Sequence, residues 1–240
     1  MGSYLNPGNI LYRGSLRSKI YVDKSLLIAR TNDLFWSEQK YICVSRPRRF
    51  GKSMAANMLA AYYDRSVASE GLFKNLKISQ EESYKEHLNQ YDVIRVNMQE
   101  FLSATHSMDE MLQRLNDYLV WNIKEEYEDF RFREENNLIQ VMKDIFAKTH
   151  RPFVILVDEW DCMFREYQND KDAQKKYLDF LRAWLKDQAY VGLAYMTGIL
   201  PIKKYGSHSA LNMFIEYSMT DPGEMAEYFG FTEEEVQTLC

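Results

Sequence analysis

The stretch YICVSRPRRFGKS, residues 41–53, carries the clearest signal in the chain. Its first five residues, Tyr41–Ser45, form a short, apolar and β-prone run, which predicts a core strand. A loop follows over 46–51, and the next segment, 52–64, is rich in alanine and methionine and contains no helix-breaking residue. The sequence therefore predicts a strand, a loop and a helix in direct succession, with Gly-Lys-Ser where the helix begins.

This order of elements gives a Gly-Lys-Ser motif its meaning as a phosphate-binding loop, or P-loop. Consecutive main-chain N–H groups of such a loop wrap a β-phosphate, and the helix behind it directs its positive end at the anion. Lys52 then supplies a mobile positive charge between the β- and γ-phosphates, and the hydroxyl of Ser53 ligates Mg²⁺. The residues predicted to bind the phosphates are Arg46, Pro47, Arg48, Arg49, Phe50, Gly51, Lys52, Ser53 and Met54.

The loop departs from the full G-x-x-x-x-G-K-[ST] pattern, because Arg46 stands where that pattern has glycine. A Gly-Lys-Ser tripeptide alone occurs by chance in roughly one chain in ten of this size, so the flanking strand and helix carry the prediction. Arg48 and Arg49 add charge for phosphate contact, as arginine fingers within the chain or across a subunit boundary, and Arg49 is the one assigned to catalysis. The alternative is that they pair with carboxylates and shape the loop.

A second signal is the run FVILVDE, residues 153–159. Five apolar residues without alternation indicate a strand buried on both faces, as at the centre of a parallel sheet. Carboxylates at the C-terminal end of such a strand lie at the crevice where open α/β sheets bind ligands. We therefore predict that Asp158 holds Mg²⁺, directly or through water, and that Glu159 is the base that orients the attacking water. The alternative is that both residues begin a solvated loop; Asp161 is assigned a structural role.

The strand predicted over 191–197 ends in Thr197, which Gly198 follows. In P-loop ATPases with a catalytic glutamate, the later strand inserts between the phosphate-loop strand and the acidic strand. Its terminal polar residue then points at the γ-phosphate, and Thr197 fits that catalytic sensing role. The alternative is that Thr197 is a turn residue before Gly198.

Short β-like runs alternate with longer helical patterns, and this order predicts an α/β fold with a mainly parallel sheet. Two further strands are predicted over 91–98 and 213–219. Helices are predicted over 24–31, with Asp23 as the N-cap, over 137–148 and over 171–188. A further helix is predicted from a capping box at 107–110 to about residue 128. Two more helices are predicted to begin after Asp221-Pro222 and at a capping box over 232–235.

Five segments that together span most of the chain share a wider pattern: Tyr21–Ser25, Ser45–Ser53, Leu156–Asp161, Thr197–Leu200 and Tyr228–Val236. In combination they resemble a bacterial AAA-ATPase-like family whose phosphate loop reads R-P-R-R-F-G-K-[ST]. The resemblance implies an AAA-like P-loop NTPase core of the ASCE class, with strand order 5-1-4-3-2 and flanking helices, ATP as ligand and Mg²⁺ as the ion. Such proteins commonly carry a downstream domain that looks like a PD-(D/E)XK nuclease. Pro201 stands where relatives tend to have a basic residue, and Lys203 and Lys204 follow.

Composition limits the classes of partner. A formal net charge of −5 gives no chain-wide basic surface for duplex DNA, so nucleic-acid binding is not evident. No apolar run approaches the roughly 18–20 residues of a membrane span, so membrane insertion is not expected. Cys43, Cys162 and Cys240 are far apart and odd in number, which favours a reducing, cytoplasmic compartment. The oligomeric state stays open.

We predict three regions: an N-terminal segment, 1–39, that packs on the core, an ATPase core, 40–220, and the start of a helical region, 221–240, that continues in the natural protein. The predicted function is to bind MgATP and hydrolyse it, in order to drive or regulate a C-terminal effector domain or a partner. Two alternatives stay open. One is a nucleotide-gated switch or scaffold that holds ATP with negligible turnover, and the other is the regulatory ATPase part of a nuclease-fused protein.

Overall fold

Within residues 2–202 and 210–239, which the computed structural model describes, five parallel strands form one sheet. The strands are β1 Tyr41–Ser45, β2 Asp92–Asn97, β3 Phe153–Asp158, β4 Val191–Gly198 and β5 Ile215–Tyr217. Their order across the sheet is β2-β3-β4-β1-β5, which reads 5-1-4-3-2 from the other edge. The α/β prediction is confirmed, and the observed order is compatible with the one that the family resemblance implies.

The helices are α1 Ile10–Leu16, α2 Leu26–Leu34, α3 Lys52–Tyr63, α4 Glu70–Phe73, α5 Tyr84–His87, α6 Met98–Ser103, α7 Met108–Glu126, α8 Leu138–Thr149, α9 Cys162–Glu166, α10 Lys171–Leu185 and α11 Glu233–Leu239. Short 3₁₀ helices span Lys77–Gln80 and Gly223–Tyr228. In the part of the chain that the structure describes, no helix combines the length and the apolar composition needed to cross a bilayer.

Helices cover both faces of the sheet, because successive strand residues point to opposite sides. On one face, Cys43 of β1 and Met196 of β4 belong to a core shared with α6, α7, α8 and α10. On the other face, Val44 and Tyr195 of the same strands pack with α1, α2 and α3. Burial on both faces is the reason that β3 is an uninterrupted apolar run.

The helix predicted over 24–31 begins later than expected, at Leu26, and Asp23 is not its cap. The two oxygens of the Asp23 carboxylate accept hydrogen bonds from the main-chain N–H groups of Ser25, at 2.8 Å, and Lys77, at 2.7 Å. Asp23 therefore ties two separate segments together. Sequence spacing alone could not reveal the distant partner at Lys77.

Two other boundaries near the C-terminal half differ from the prediction. The helix α10 ends at Leu185, because Lys186 takes an extended conformation and the Tyr41 hydroxyl donates to the Leu185 carbonyl at 3.0 Å. The segment after Asp221-Pro222 is the short 3₁₀ helix rather than an α-helix. Its Glu224 carboxylate accepts from the Tyr217 hydroxyl at 2.8 Å, which fixes this turn against the end of β5.

The N-terminal residues run along the free side of β2. The main-chain N–H of Asn6 donates to the Val93 carbonyl at 2.7 Å, and its side-chain amide donates to the buried Asp92 carboxylate at 2.8 Å. The same carboxylate also accepts from Arg65 Nε at 2.7 Å and from the Tyr127 hydroxyl at 2.6 Å. These bonds tie the start of the chain to the sheet, whereas the division into 1–39, 40–220 and 221–240 stays a prediction.

Candidate functional site

The loop 46–51 leaves the end of β1 and leads directly into α3, as predicted. Gly51, at the junction, has φ +80°, a left-handed conformation that glycine adopts without the strain that a Cβ would bring. Arg48, Arg49 and Ser53 are exposed around this junction. The start of α3 is therefore flanked along the chain by two exposed arginine residues and an exposed serine.

Lys52 lies inside this loop rather than on its surface. Its ammonium donates to the carbonyl oxygens of Arg46 and Pro47, both at 2.9 Å, and the residue is only 6% exposed. Burial lowers the pKa of Lys52, and the negative charges of Glu159, Asp158 and Asp161 act against that shift. A buried ammonium that bonds only to neutral carbonyls is electrostatically suited to an anionic ligand.

The phosphate loop and the acidic strand end lie at the same edge of the sheet. In the parallel register, Ser45 pairs with Gly198, and Asp158 pairs with Asn97 at the end of β2. The strand β4 lies between β1 and β3, so it separates the loop from the carboxylates by one strand. The effect of Asp158 and Glu159 on the Lys52 pKa agrees with this placement. The two sequence signals therefore meet in space.

Asp158 is 2% exposed and is held by its neighbours. One carboxylate oxygen accepts from the hydroxyl of Thr197 and, at 3.1 Å, from the main-chain N–H of Glu159. Thr197 is fully buried and lies within β4, so it is not the turn residue of the alternative interpretation. Its observed contact orients the Asp158 carboxylate, while the assignment to γ-phosphate sensing stays a prediction.

Glu159 adopts φ 54°, a left-handed conformation that is uncommon for a residue with a side chain. Its carboxylate forms an ion pair with Arg165 of α9, and 22% of the glutamate side chain is exposed. Arg165 also approaches Asp161, with 3.6 Å between Nε and Oδ2. Glu159 is therefore not part of a freely solvated loop, because a specific cation engages it.

Asp161 connects the acidic segment to the chain that follows β4. Its fully buried carboxylate accepts from the main-chain N–H groups of Ile199, at 3.1 Å, and Leu200, at 2.9 Å. This contact agrees with the structural role assigned from the sequence. Pro201, which the sequence comparison singled out, lies just beyond, while Lys203 and Lys204 fall outside the described residues.

Gly198 has no room for a side chain. A Cβ at this position would lie 2.6 Å from Trp160 Nε1 and 2.8 Å from Asp161 Oδ1, both in fully buried residues. We expect Gly198→Ala to lower the free energy of unfolding by about 1–3 kcal/mol, because the indole or the carboxylate must move. Urea denaturation of the variant measures the loss.

The matched control for this substitution is Gly14→Ala. Nothing lies within 4 Å of a Cβ at Gly14, which is exposed in α1. Alanine at such a position stabilises a helix by up to about 1 kcal/mol relative to glycine. Equal stability changes in the two variants would contradict the close packing described at Gly198.

The side chain of Arg46 points away from the phosphate loop opening. Its guanidinium donates to the carbonyls of Ser45, at 3.2 Å, and Tyr217, at 2.9 Å, and it lies 5.9 Å from the centroid of the Phe229 ring. Arg46 is 3% exposed. The residue that replaces the first glycine of the motif therefore ties the loop to β5, and only its main chain faces the site.

An apolar cleft lies beside the phosphate loop. Its walls come from the N-terminal segment, from the first turns of α3 and from the chain near 230, and they include Tyr12, Tyr21, Met54, Met58, Tyr228 and Phe231. Gly51 and Arg49 form the edge that adjoins the loop. Of these wall residues only Met54 was predicted from the sequence to bind the nucleotide, because the cleft is formed by contacts between distant segments.

Arg165 and Gln99 also lie at this edge of the sheet, although neither belongs to a recognisable sequence motif. The amide oxygen of Gln99, just after β2, lies 3.4 Å from Arg165 Nη2, so the arginine links the ends of β2 and β3. A helical spacing from Asp161 to Arg165 was the available signal, since residues four apart face each other on a helix. No local pattern pointed to Gln99.

The donor set fits a magnesium ion. A Ser53 hydroxyl and an Asp158 carboxylate are hard oxygen donors, and Mg²⁺ commonly takes its remaining ligands from phosphate oxygens and water. Among residues 2–202 and 210–239 there is no group of three or more His, Cys, Asp or Glu side chains placed to hold a metal. Two protein oxygen donors leave most of an octahedral coordination shell to phosphate oxygens and water, as is common for Mg²⁺.

Comparison with known proteins adds one finding. A family model described as AAA-ATPase-like, a predicted AAA-ATPase, matches residues 15–207. That range contains the phosphate loop, the acidic end of β3 and the whole of β4. No curated protein matches the chain.

Proposed function

The chain belongs to the AAA-ATPase-like family of predicted AAA-ATPases, and from this premise we propose that it binds MgATP and hydrolyses it to ADP and phosphate. The observation that carries the proposal is the meeting, at one edge of the sheet, of a buried Lys52 ammonium and the carboxylates of Asp158 and Glu159. A cation inside a loop of main-chain donors suits a polyphosphate. Carboxylates across the adjacent strand suit the metal and the water that hydrolysis requires.

Different residues bind the phosphates, the metal ion and the transferring phosphoryl group. The main-chain N–H groups of 48–52 surround the β-phosphate, and Lys52 turns from the loop carbonyls to the β- and γ-phosphate oxygens. Ser53 and Asp158 would hold Mg²⁺, which when bound would neutralise charge on the phosphate oxygens. Thr197 keeps the Asp158 carboxylate in place through the contact that the two side chains make. Arg49, exposed beside Gly51, contributes positive charge near the transferring phosphoryl group.

The chemical step transfers a phosphoryl group to water. Water attacks the γ-phosphorus as the bond to the β,γ-bridging oxygen breaks, and the proton of the water passes to Glu159. ADP carries the former bridging oxygen, and inorganic phosphate carries the oxygen of the water. Positioning and charge stabilisation supply most of the acceleration in reactions of this class.

The apolar cleft takes the base of the nucleotide in this proposal, since it adjoins the phosphate loop. We expect Tyr228→Ala to weaken ATP binding by about 10-fold, because an aromatic wall of the base site is lost. The affinity for inorganic tripolyphosphate, which has no base, should not change. Calorimetric titration with each ligand measures both affinities.

The control for Tyr228 is Tyr118→Ala, which removes a partly exposed tyrosine from α7, outside the cleft. It should leave both affinities unchanged. If Tyr228→Ala weakened tripolyphosphate as much as ATP, the cleft would not be the base site.

The C-terminal segment provides a route from the nucleotide to an effector or partner. The main-chain N–H of Gly230 donates to the Phe50 carbonyl of the phosphate loop at 3.2 Å. Farther along, Glu235 of α11 forms an ion pair of 2.6 Å with Lys24. In this proposal, a change in the loop on nucleotide binding or release passes through the Gly230 contact to α11 and to the effector or partner.

A second candidate function is a nucleotide-gated switch with negligible turnover. The ion pair between Glu159 and Arg165 favours it, because a base engaged by a guanidinium is less available to water. The two functions are separated by a phosphate-release assay on protein already shown to bind ATP. Release with repeated turnover supports the ATPase, and binding without release supports the switch.

A further inference from the structure

Arg165 occupies a junction between three strand ends. Its guanidinium pairs with Glu159 after β3, and its Nη2 atom lies 3.4 Å from the Gln99 amide oxygen after β2. Its Nε atom lies 3.6 Å from Asp161, whose carboxylate holds the chain after β4. A single cation thus connects the base assigned to hydrolysis with the neighbouring parts of the site.

These contacts do not use all the hydrogen-bond donors of the guanidinium. The Nε atom is buried and forms no hydrogen bond with any residue that the structure describes, because 3.6 Å to Asp161 exceeds hydrogen-bonding distance. About 20% of the Arg165 side chain is exposed. The group therefore keeps donor capacity and partial access to solvent.

Arg165 also interacts electrostatically with Lys52 of the phosphate loop. Its positive charge adds to the burial that lowers the pKa of Lys52. Two cations that repel each other are both stabilised by a polyanion placed between them. The phosphate group nearest to the carboxylates is the one that meets this requirement.

We propose that Arg165 distinguishes nucleoside triphosphates from diphosphates, because the γ-phosphate competes with Glu159 for its guanidinium. The inference rests on the function proposed above and assigns to that site a specificity-determining residue. Arginine suits this exchange, since its planar donors bind phosphate as readily as carboxylate. Once Arg165 moves to the γ-phosphate, the Glu159 carboxylate is released to accept a proton from water.

This exchange has a thermodynamic signature in binding. An interaction that must be broken before a ligand contact forms lowers the apparent affinity for that ligand. The Glu159–Arg165 pair should therefore reduce affinity for a triphosphate and have no effect on a diphosphate. The signature can be measured without any turnover.

The first test compares ADP with the βγ-imido analogue of ATP, each titrated calorimetrically with Mg²⁺ present. Arg165→Gln should weaken binding of the imido analogue by about 10-fold, the order expected for one charge-assisted contact. Binding of ADP should stay the same. Arg165→Lys, which keeps the charge, should restore part of the lost affinity, whereas a purely structural arginine would show no such preference for the triphosphate.

The second test uses Glu159→Gln, which keeps Arg165 and weakens its ion pair. This variant should bind the imido analogue several-fold more tightly than the wild type, with ADP affinity unchanged. The gain should disappear in the Glu159→Gln, Arg165→Gln double variant, since the two residues act through each other. This arm keeps the inference testable even if Arg165→Gln does not fold.

The matched control is Arg182→Gln, which removes an exposed arginine from α10. It should alter neither affinity. Equal losses for ADP and the imido analogue in Arg165→Gln would overturn the inference, as would a Glu159→Gln gain that survives in the double variant. If the wild type bound neither nucleotide, the proposed function itself would be contradicted. If the wild type bound both nucleotides and Arg165→Gln changed neither affinity, only the inference about Arg165 would be contradicted.

Discussion

Replacing Lys52 with alanine is expected to abolish binding of ATP and ADP. Lys52 is 6% exposed, and its ammonium is directed into the phosphate loop, where it donates to the carbonyls of Arg46 and Pro47. Loss of a buried charged contact to a ligand typically costs about 2–5 kcal/mol, so the dissociation constant should rise by about 100-fold or more. Isothermal titration calorimetry with each nucleotide in the presence of Mg²⁺ measures the change.

The folded state should tolerate this substitution. Burial lowers the pKa of Lys52, which means that the protein environment disfavours the ammonium in the absence of an anion. Its removal therefore eliminates an unfavourable buried charge along with two hydrogen bonds. The control is Lys175→Ala, which removes an exposed lysine from α10 and should bind both nucleotides as the wild type does. Wild-type affinity in Lys52→Ala would refute the assigned phosphate contact.

Glu159→Gln is expected to stop hydrolysis while sparing nucleotide binding. Glutamine keeps the size of the side chain but cannot take a proton from water, and loss of a general base costs about 10²–10⁴-fold in rate. The measurement is phosphate release in a single turnover, with the protein in excess over ATP. With the protein concentration also well above the dissociation constant, all the ATP is bound and a change in affinity does not enter the observed rate.

The control for Glu159 is Glu166→Gln, seven residues along and exposed at the end of α9. It should hydrolyse ATP at the wild-type rate. Equal rates for Glu159→Gln and the wild type would reject Glu159 as the base. In that case another group would have to act as the base, whereas Asp158 would still be available for Mg²⁺.

The parts of the fold that the sequence predicted well are those with strong local patterns. The strand β1 has the predicted bounds, Tyr41–Ser45, and α3 begins at Lys52 as expected. The apolar run of β3 is buried at every position. The order of the strands, by contrast, came from the family resemblance, since local periodicity does not specify which strands are neighbours.

The weaker predictions concern segments whose ends are set by distant contacts. The fifth strand was predicted over 213–219 but comprises only Ile215–Tyr217. It ends early because the chain turns at Ser218, whose N–H donates to the Asp221 carbonyl at 3.0 Å. Its partner is the single neighbouring strand β1, which pairs with three of its residues. Such edge pairing leaves little trace in the sequence.

In the candidate site, too, local motifs identified residues, whereas contacts between distant segments could not be predicted. The motif residues Lys52, Asp158 and Glu159 were named from the sequence, and the structure places them at one edge of the sheet. The direction of the Arg46 side chain and the pairing of Arg165 with Glu159 could not be read from a motif. Both depend on which elements lie next to the loop after folding.

The most direct measurement of the central claim is a thermal-unfolding titration of the wild type and Lys52→Ala with ATP, with and without Mg²⁺. A ligand that binds only the folded state stabilises it, and ATP at about 100 times its dissociation constant should raise the melting temperature by about 5–10 °C. We predict this rise for the wild type, larger with Mg²⁺ than without it, and no rise for Lys52→Ala. An unchanged wild-type melting temperature, or an equal rise in both proteins, would contradict the phosphate site described above.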